Sequence, residues 1–128
     1  MILNQLKSLF DKGGKGGKHR VVTLADNLIP TLRQQISLVK HYLEADLHNP
    51  EFAGVWLPHR YRIKNQSANK TIGWQYLFPS ARLSRDPESN LMRRHHIDGS
   101  SVQRAVRDAA RKAQIDKTVT PHTLRHSF

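Results

Sequence analysis

Six apolar residues, Leu28, Leu32, Ile36, Val39, Leu43 and Leu47, recur at spacings of 4, 4, 3, 4 and 4. A chain with that stripe has to bury one face of a long helix. Asp26 offers an N-cap, and Pro30 falls in the first turn, where its missing N–H does least harm. His48-Asn49-Pro50 supplies the stop, because the residue before a proline resists the helical region. A second helix is predicted to start at Asp98 or Ser100, with Val102, Val106, Ala109 and Ala113 on one face and Arg104, Arg107 and Arg111 on the other. Thr120-Pro121 has the form of a third helix start. No internal repeat is present.

Elsewhere the pattern is shorter-ranged. Met1 to Asp11 is a mixed segment that breaks at Lys12-Gly13-Gly14-Lys15-Gly16-Gly17-Lys18, whose four glycines permit a tight turn. His19 to Leu24 is rich in β-branched residues and reads as a strand leaving a hairpin. Residues 51–80 are the least regular, and within them Gly73 to Ser80 reads as a short apolar strand ended by Pro79. Ala81 to Asn90 reads as a polar loop, and Leu91 to Ile97 as a second edge strand with a basic face. The 128 residues, 38% of them apolar, allow one modest core and one domain at most. The expected class is α+β, mainly α, with a small β-hairpin or sheet.

Charge narrows the partner. The chain carries 21 Lys and Arg against 10 Asp and Glu, a formal +11, which suits a polyanion because each cation set on a phosphate releases a counterion. The distribution is more telling than the sum. No acid occurs from Phe52 to Arg85, while His59, Arg60, Arg62, Lys64, Lys70, Arg82 and Arg85 crowd that stretch. Nucleic acid is the first reading; an acidic protein or a lipid surface is the alternative. With no Cys, disulfides and thiolate metal sites are excluded. No run approaches the roughly 18 apolar residues of a membrane span, and Met1 to Lys7 lacks the layout of a signal peptide. A soluble, cytoplasmic protein is expected.

Three groups of residues can carry chemistry. The glycine loop is not a Walker loop, since Gly13 to Gly17-Lys18 leaves three intervening residues and His19 stands where Ser or Thr is needed. It either carries Lys15 into a groove or is a turn without a function. His122 and Arg125, three apart at a helix start, share a face, and a guanidinium beside an imidazole suits phosphate. His126 reads as a packed structural histidine. Zinc is the weaker idea, because Thr123 occupies the place of the metalloprotease Glu. Trp74, Tyr76, Phe78, His95 and His96 bring flat rings close to cations, as stacking on unpaired bases requires, although an apolar strand more often sends Tyr76 and Phe78 into the core.

These residues resemble a known family. His122-Thr123-Leu124-Arg125-His126-Ser127-Phe128 looks like the His-x-x-Arg box of the tyrosine recombinases, and Gly14 to Arg20 resembles their lysine-bearing β-hairpin. Asp46-Leu47, Gly54-Val55-Trp56-Leu57-Pro58, Gly73 to Ser80, Asp86-Pro87 and Arg93-Arg94-His95-His96 are similar to the integron integrases, the branch that captures gene cassettes. The resemblance covers Lys12 to Phe128, the central part of a catalytic domain, with residues 1–11 outside it and an integron-type extra segment at about 47–64.

The resemblance implies that Lys15 is the general acid and that His122 and Arg125 hold the scissile phosphate, by way of a phosphotyrosine link that needs no metal or nucleotide cofactor. It implies DNA contacts at Lys18, Arg20, Trp74, Pro87, Arg93, Arg94, His95 and His96, on folded single-stranded cassette sites and on double-stranded sites. The family's first Arg, second His and Tyr nucleophile have no match here, so this polypeptide alone is expected not to cleave DNA. The complete protein would work as a tetramer on DNA, and the fragment as a monomer. The alternative is a non-catalytic nucleic-acid-binding or adaptor protein on the same scaffold.

Overall fold

The computed structural model describes residues 2–4 and 24–126. The hairpin expected around Lys15 lies outside them. The chain is mainly helical with one small antiparallel sheet and divides into two compact units, Met1–His96 and Ile97–Phe128. Among the described residues no helix is long and apolar enough to cross a membrane.

In the first unit the periodic stripe forms α1, Ile29–Leu47, with Pro30 in its first turn. Asp26 is not its N-cap. It opens a 3-10 turn, Asp26–Leu28, in which Leu28 N donates to Ala25 O at 3.0 Å, so the tighter turn rather than a side chain leads the backbone into the helix. Val39 and Leu43 are buried and Leu32 and Ile36 half-buried, whereas the stripe's ends, Leu28 and Leu47, are 48% and 52% exposed. The last turn buries Asp46 instead. Val39 packs with Leu3 and Leu77, and a second apolar cluster gathers Val55, Leu57 and Ala68 beneath Trp74 and Tyr76.

The rest of this unit is short elements tied by specific bonds. The basic stretch forms a six-residue helix, α2, His59–Lys64. Gly73 to Ser80 is not a ladder strand. It begins in a 3-10 turn, Ile72–Trp74, and its strand-type pairing among the described residues is limited to the isolated bridges Ile2↔Tyr76 and Pro79↔His96. Its Gln75 is buried and turns its amide back onto Asn69 O and Thr71 O at 3.1 and 3.0 Å, which holds the segment to the turn before it. The sheet forms in part from the expected loop: β1, Ser84–Arg85, pairs with β2, Met92–Arg93, in the register Ser84↔Arg93 and Arg85↔Met92. The second expected strand, Leu91 to Ile97, is thus two residues long.

Asp86 organises the turn between these strands. Its Oδ1 accepts from Glu88 N and its Oδ2 from Ser89 Oγ and Arg93 Nε, each at 2.9 Å, an Asx-type turn that Asn90 closes in the left-handed region at φ 58°. The bond from the Glu88 N–H, then those from Ser89 and Arg93, hold the Asp86 carboxyl below its ordinary 3.8 against the opposing effect of burial. A depressed carboxylate contributes stability that is present above its unfolded value and lost as pH falls through the folded one. Asp86→Asn is therefore expected to lower the urea midpoint at neutral pH and to flatten its decline as the pH falls through and below the ordinary 3.8. Parallel acid limbs for the two proteins would contradict this.

In the second unit Asp98 caps α3, Gly99–Lys112, as expected: its carboxylate accepts from Ser100 N at 3.4 Å and Ser100 Oγ at 2.6 Å. The helix ends in a Schellman motif, with Ile115 N on Ala110 O and Gln114 N on Arg111 O, and with Gln114 at φ 57° in the place glycine usually takes. Val102, Val106, Ala109, Ala113, Ile115 and Leu124 line an open apolar groove of about 570 Å³, against which α4, Pro121–His126, is set. Arg104, Arg107 and Arg111 face solvent. The Arg111–Asp108 contact, 3.7 Å between exposed side chains, adds little.

Candidate functional site

Two of the expected strand contacts, Arg93 and Arg94, are consumed inside the fold. Adjacent residues of a strand point to opposite sides, and here each finds a carboxylate. Arg93, 4% exposed, donates Nε to Asp86 and Nη1 to Ala53 O and Val55 O at 2.8 and 3.3 Å. Arg94, 6% exposed, forks onto Asp46 with Nη2–Oδ1 at 2.6 Å and Nε–Oδ2 at 3.0 Å, gives Nη1 to Ser80 O, and lies over the Tyr42 ring. Neither guanidinium faces solvent, so their positive charge holds the fold together and is not presented on the surface.

The rings do reach the surface. Trp74, half-buried, meets Tyr61 of α2 with centroids 4.3 Å apart, and the pair, with Pro58, Arg60 and Lys64, lines an open pocket of about 270 Å³. Arg60 and Lys64 form no ion pair among the described residues. Tyr76 meets the exposed His96 edge-on at 5.3 Å, and burial pushes the Tyr76 phenol above its usual 10.0, keeping it a neutral ring. His95 is half-buried, and its carbonyl accepts from Ser80 N at 2.7 Å. Pro87 is exposed in the Asp86 turn. Trp74 and Tyr76 thus rise from one apolar cluster, and α2 sets cations beside the first of them.

The residue after Pro87 joins three separate segments. Glu88 Oε2 accepts from Trp56 Nε1 at 2.7 Å and Oε1 from Arg62 Nη2 at 2.9 Å, while the Arg62 guanidinium lies 5.7 Å from the Trp56 ring centre. These two donors, Arg62 first, hold the Glu88 carboxyl below its ordinary 4.5. Sequence reading missed Glu88 and Tyr61. The available signal was position: Glu88 follows the acid-free stretch directly after Asp86-Pro87, and Tyr61 is the one phenol ring inside the basic run His59 to Lys64.

In the second unit Thr120 and Thr123 lock the start of α4. Thr123 N donates to Thr120 Oγ1 at 3.2 Å and Thr120 N to Thr123 Oγ1 at 3.3 Å, a reciprocal cap that explains why Thr stands between His122 and Arg125. With Leu124 turned to the apolar groove, His122, Arg125 and His126 are all exposed. His126 is not a packed core residue: its Nε2 lies 2.8 Å from His122 Nε2, with the rings edge-to-face. One imidazole donates and the other accepts, with the direction set by the tautomers. Arg125 forms no ion pair among the described residues. Lys15, Lys18 and Arg20 lie outside the described residues. Among those described, no group of three or more His, Asp or Glu is placed to hold a metal ion.

The sequence pattern of the phage integrase family matches residues 4–128. An integrase/recombinase of Escherichia coli and one of Pseudomonas aeruginosa are each 39% identical over 125 residues, which is 93% of this chain and 37% of theirs. A tyrosine recombinase of Thermosipho africanus (strain TCF52B) is 28% identical over 115 residues, 90% of this chain and 25% of that protein. The chain therefore spans little more than a third of the length of these Escherichia coli and Pseudomonas aeruginosa relatives.

Proposed function

Because the chain belongs to the phage integrase family of tyrosine recombinases, we propose that it is the central part of the catalytic domain of a site-specific recombinase, of the integron type, acting on DNA. The observation that carries the phosphate role is the start of α4, where the Thr120–Thr123 cap holds His122 and Arg125 exposed on one helical turn. In this reading Arg125 grips two oxygens of the scissile phosphate. His122 donates to a third, and Lys15 protonates the leaving 5′ oxygen.

The first unit would take the surrounding strand. Trp74, Pro87, His95 and His96 contact extrahelical bases of a folded single strand, and Lys18 and Arg20 contact its backbone. Arg93 and Arg94 act from within, fixing the strand that precedes His95 and His96. A nucleophile is still required for strand cleavage. The three tyrosines, Tyr42 under Arg94, Tyr61 on Trp74 and Tyr76 on His96, lie in the first unit, and by the resemblance none of them occupies the position of the family's nucleophile. A polypeptide of these 128 residues is thus expected to bind a folded cassette-site hairpin in a salt-sensitive manner, as a monomer, and to form no covalent adduct with a nicked suicide substrate. A denaturant-resistant protein–DNA band would overturn the inactivity. Absence of hairpin binding at low salt in a gel shift would overturn the DNA reading.

A further inference from the structure

The three-segment clamp at Glu88 has a place beside the strand-contacting face that its charge alone does not explain. Helix α2 has no side-chain N-cap and only six residues, so tertiary contacts have to hold it. On one side Tyr61 meets Trp74. On the other Arg62 is fixed by Glu88, and Glu88 is itself fixed by Trp56 and, through its own N–H, by Asp86. Arg62 is thereby neutralised and half-buried, while Arg60 and Lys64 on the same helix keep their charges toward the pocket.

We infer that Glu88 is a positioning residue: by bridging Trp56 and Arg62 it holds α2 so that Arg60, Tyr61 and Lys64 stand beside Trp74, and single-stranded DNA binding depends on it. The inference rests on the DNA reading above. Charge and position predict opposite signs. Removing a carboxylate from a basic face adds net positive charge and should, by electrostatics alone, tighten binding by about two- to threefold. If Glu88 positions the helix, its loss leaves Arg62 and the Trp56 indole without their acceptor and weakens binding.

The test is fluorescence anisotropy of a labelled folded cassette-site hairpin with the 128-residue chain at fixed low salt. Glu88→Ala is expected to bind about five- to tenfold more weakly, and Glu88→Gln, which keeps one acceptor oxygen, to fall between it and the parent. Trp56→Phe keeps the ring and the net charge but removes the indole N–H, and is expected to weaken binding about two- to threefold. If Glu88→Ala fails to fold by circular dichroism, Glu88→Gln and Trp56→Phe decide. Equal or tighter binding by folded Glu88 variants, with the parent binding, overturns the positioning role alone. Failure of the parent to bind overturns both this role and the DNA reading.

Discussion

Asp46→Ala is expected to destabilise the first unit by about 3–5 kcal/mol, because it strands a buried guanidinium. Arg94, 6% exposed, would keep only Ser80 O and the face of Tyr42, with its Nη2 and Nε left without an acceptor. The pair ties the last turn of α1 to the residue after β2 across 48 positions of sequence, so its loss should free both ends together. Arg94→Ala removes the other partner and is expected to cost a similar amount. The decisive comparison is the double replacement Asp46→Leu with Arg94→Met. Apolar residues of similar volume remove the desolvation cost along with the attraction, and should recover most of the loss. Urea unfolding of all four proteins checks this. A double variant as unstable as the sum of the singles would show that the hydrogen bonds, and not the uncompensated charge, dominate.

That pair also shows where sequence reading stops. The stripe of α1 was legible because apolar spacing depends on neighbours within one helix, and the stop at His48-Asn49-Pro50 is equally local. The burial of Asp46 was not, since a carboxylate between Leu43 and Leu47 reads as solvent-facing until its partner is known. The partner is 48 residues away, inside a segment read as a basic edge. Arg93 and Arg94 illustrate the same gap: charge shows that they need anions, and only tertiary structure shows whether those anions are Asp86 and Asp46 or phosphates. The site divided similarly. Trp74, His96, His122 and Arg125 were legible by residue type and spacing and stand exposed or half-buried. Glu88 was not, because an acid within a basic region counts against binding unless it is seen to hold two donors at once.

The second large effect is expected at Gly54, and it follows from backbone geometry rather than charge. Gly54 sits at φ +82°, and a Cβ there would lie 2.7 Å from Asn69 O and 2.6 Å from Asn69 Cγ. Asn69 has no room to withdraw. Its carbonyl accepts from Val55 N at 2.9 Å and from Gln75 Nε2, and its amide donates to Ala53 O at 3.0 Å. Ala53 O and Val55 O are in turn the carbonyls that Arg93 holds. The left-handed backbone at Gly54 therefore lets the residues on either side of it, Ala53 and Val55, serve one hydrogen-bond network. Gly54→Ala is expected to cost about 3 kcal/mol, combining a left-handed conformation for a residue with a Cβ and a clash against bonded atoms. Gly99→Ala is the matched control. No atom lies within 4 Å of a Cβ at Gly99, and at the first residue of α3 alanine should be neutral or stabilising by up to about 1 kcal/mol. Thermal unfolding that finds the two substitutions alike would mean that the Asn69 network yields, and with it the account of why glycine stands between Ala53 and Val55.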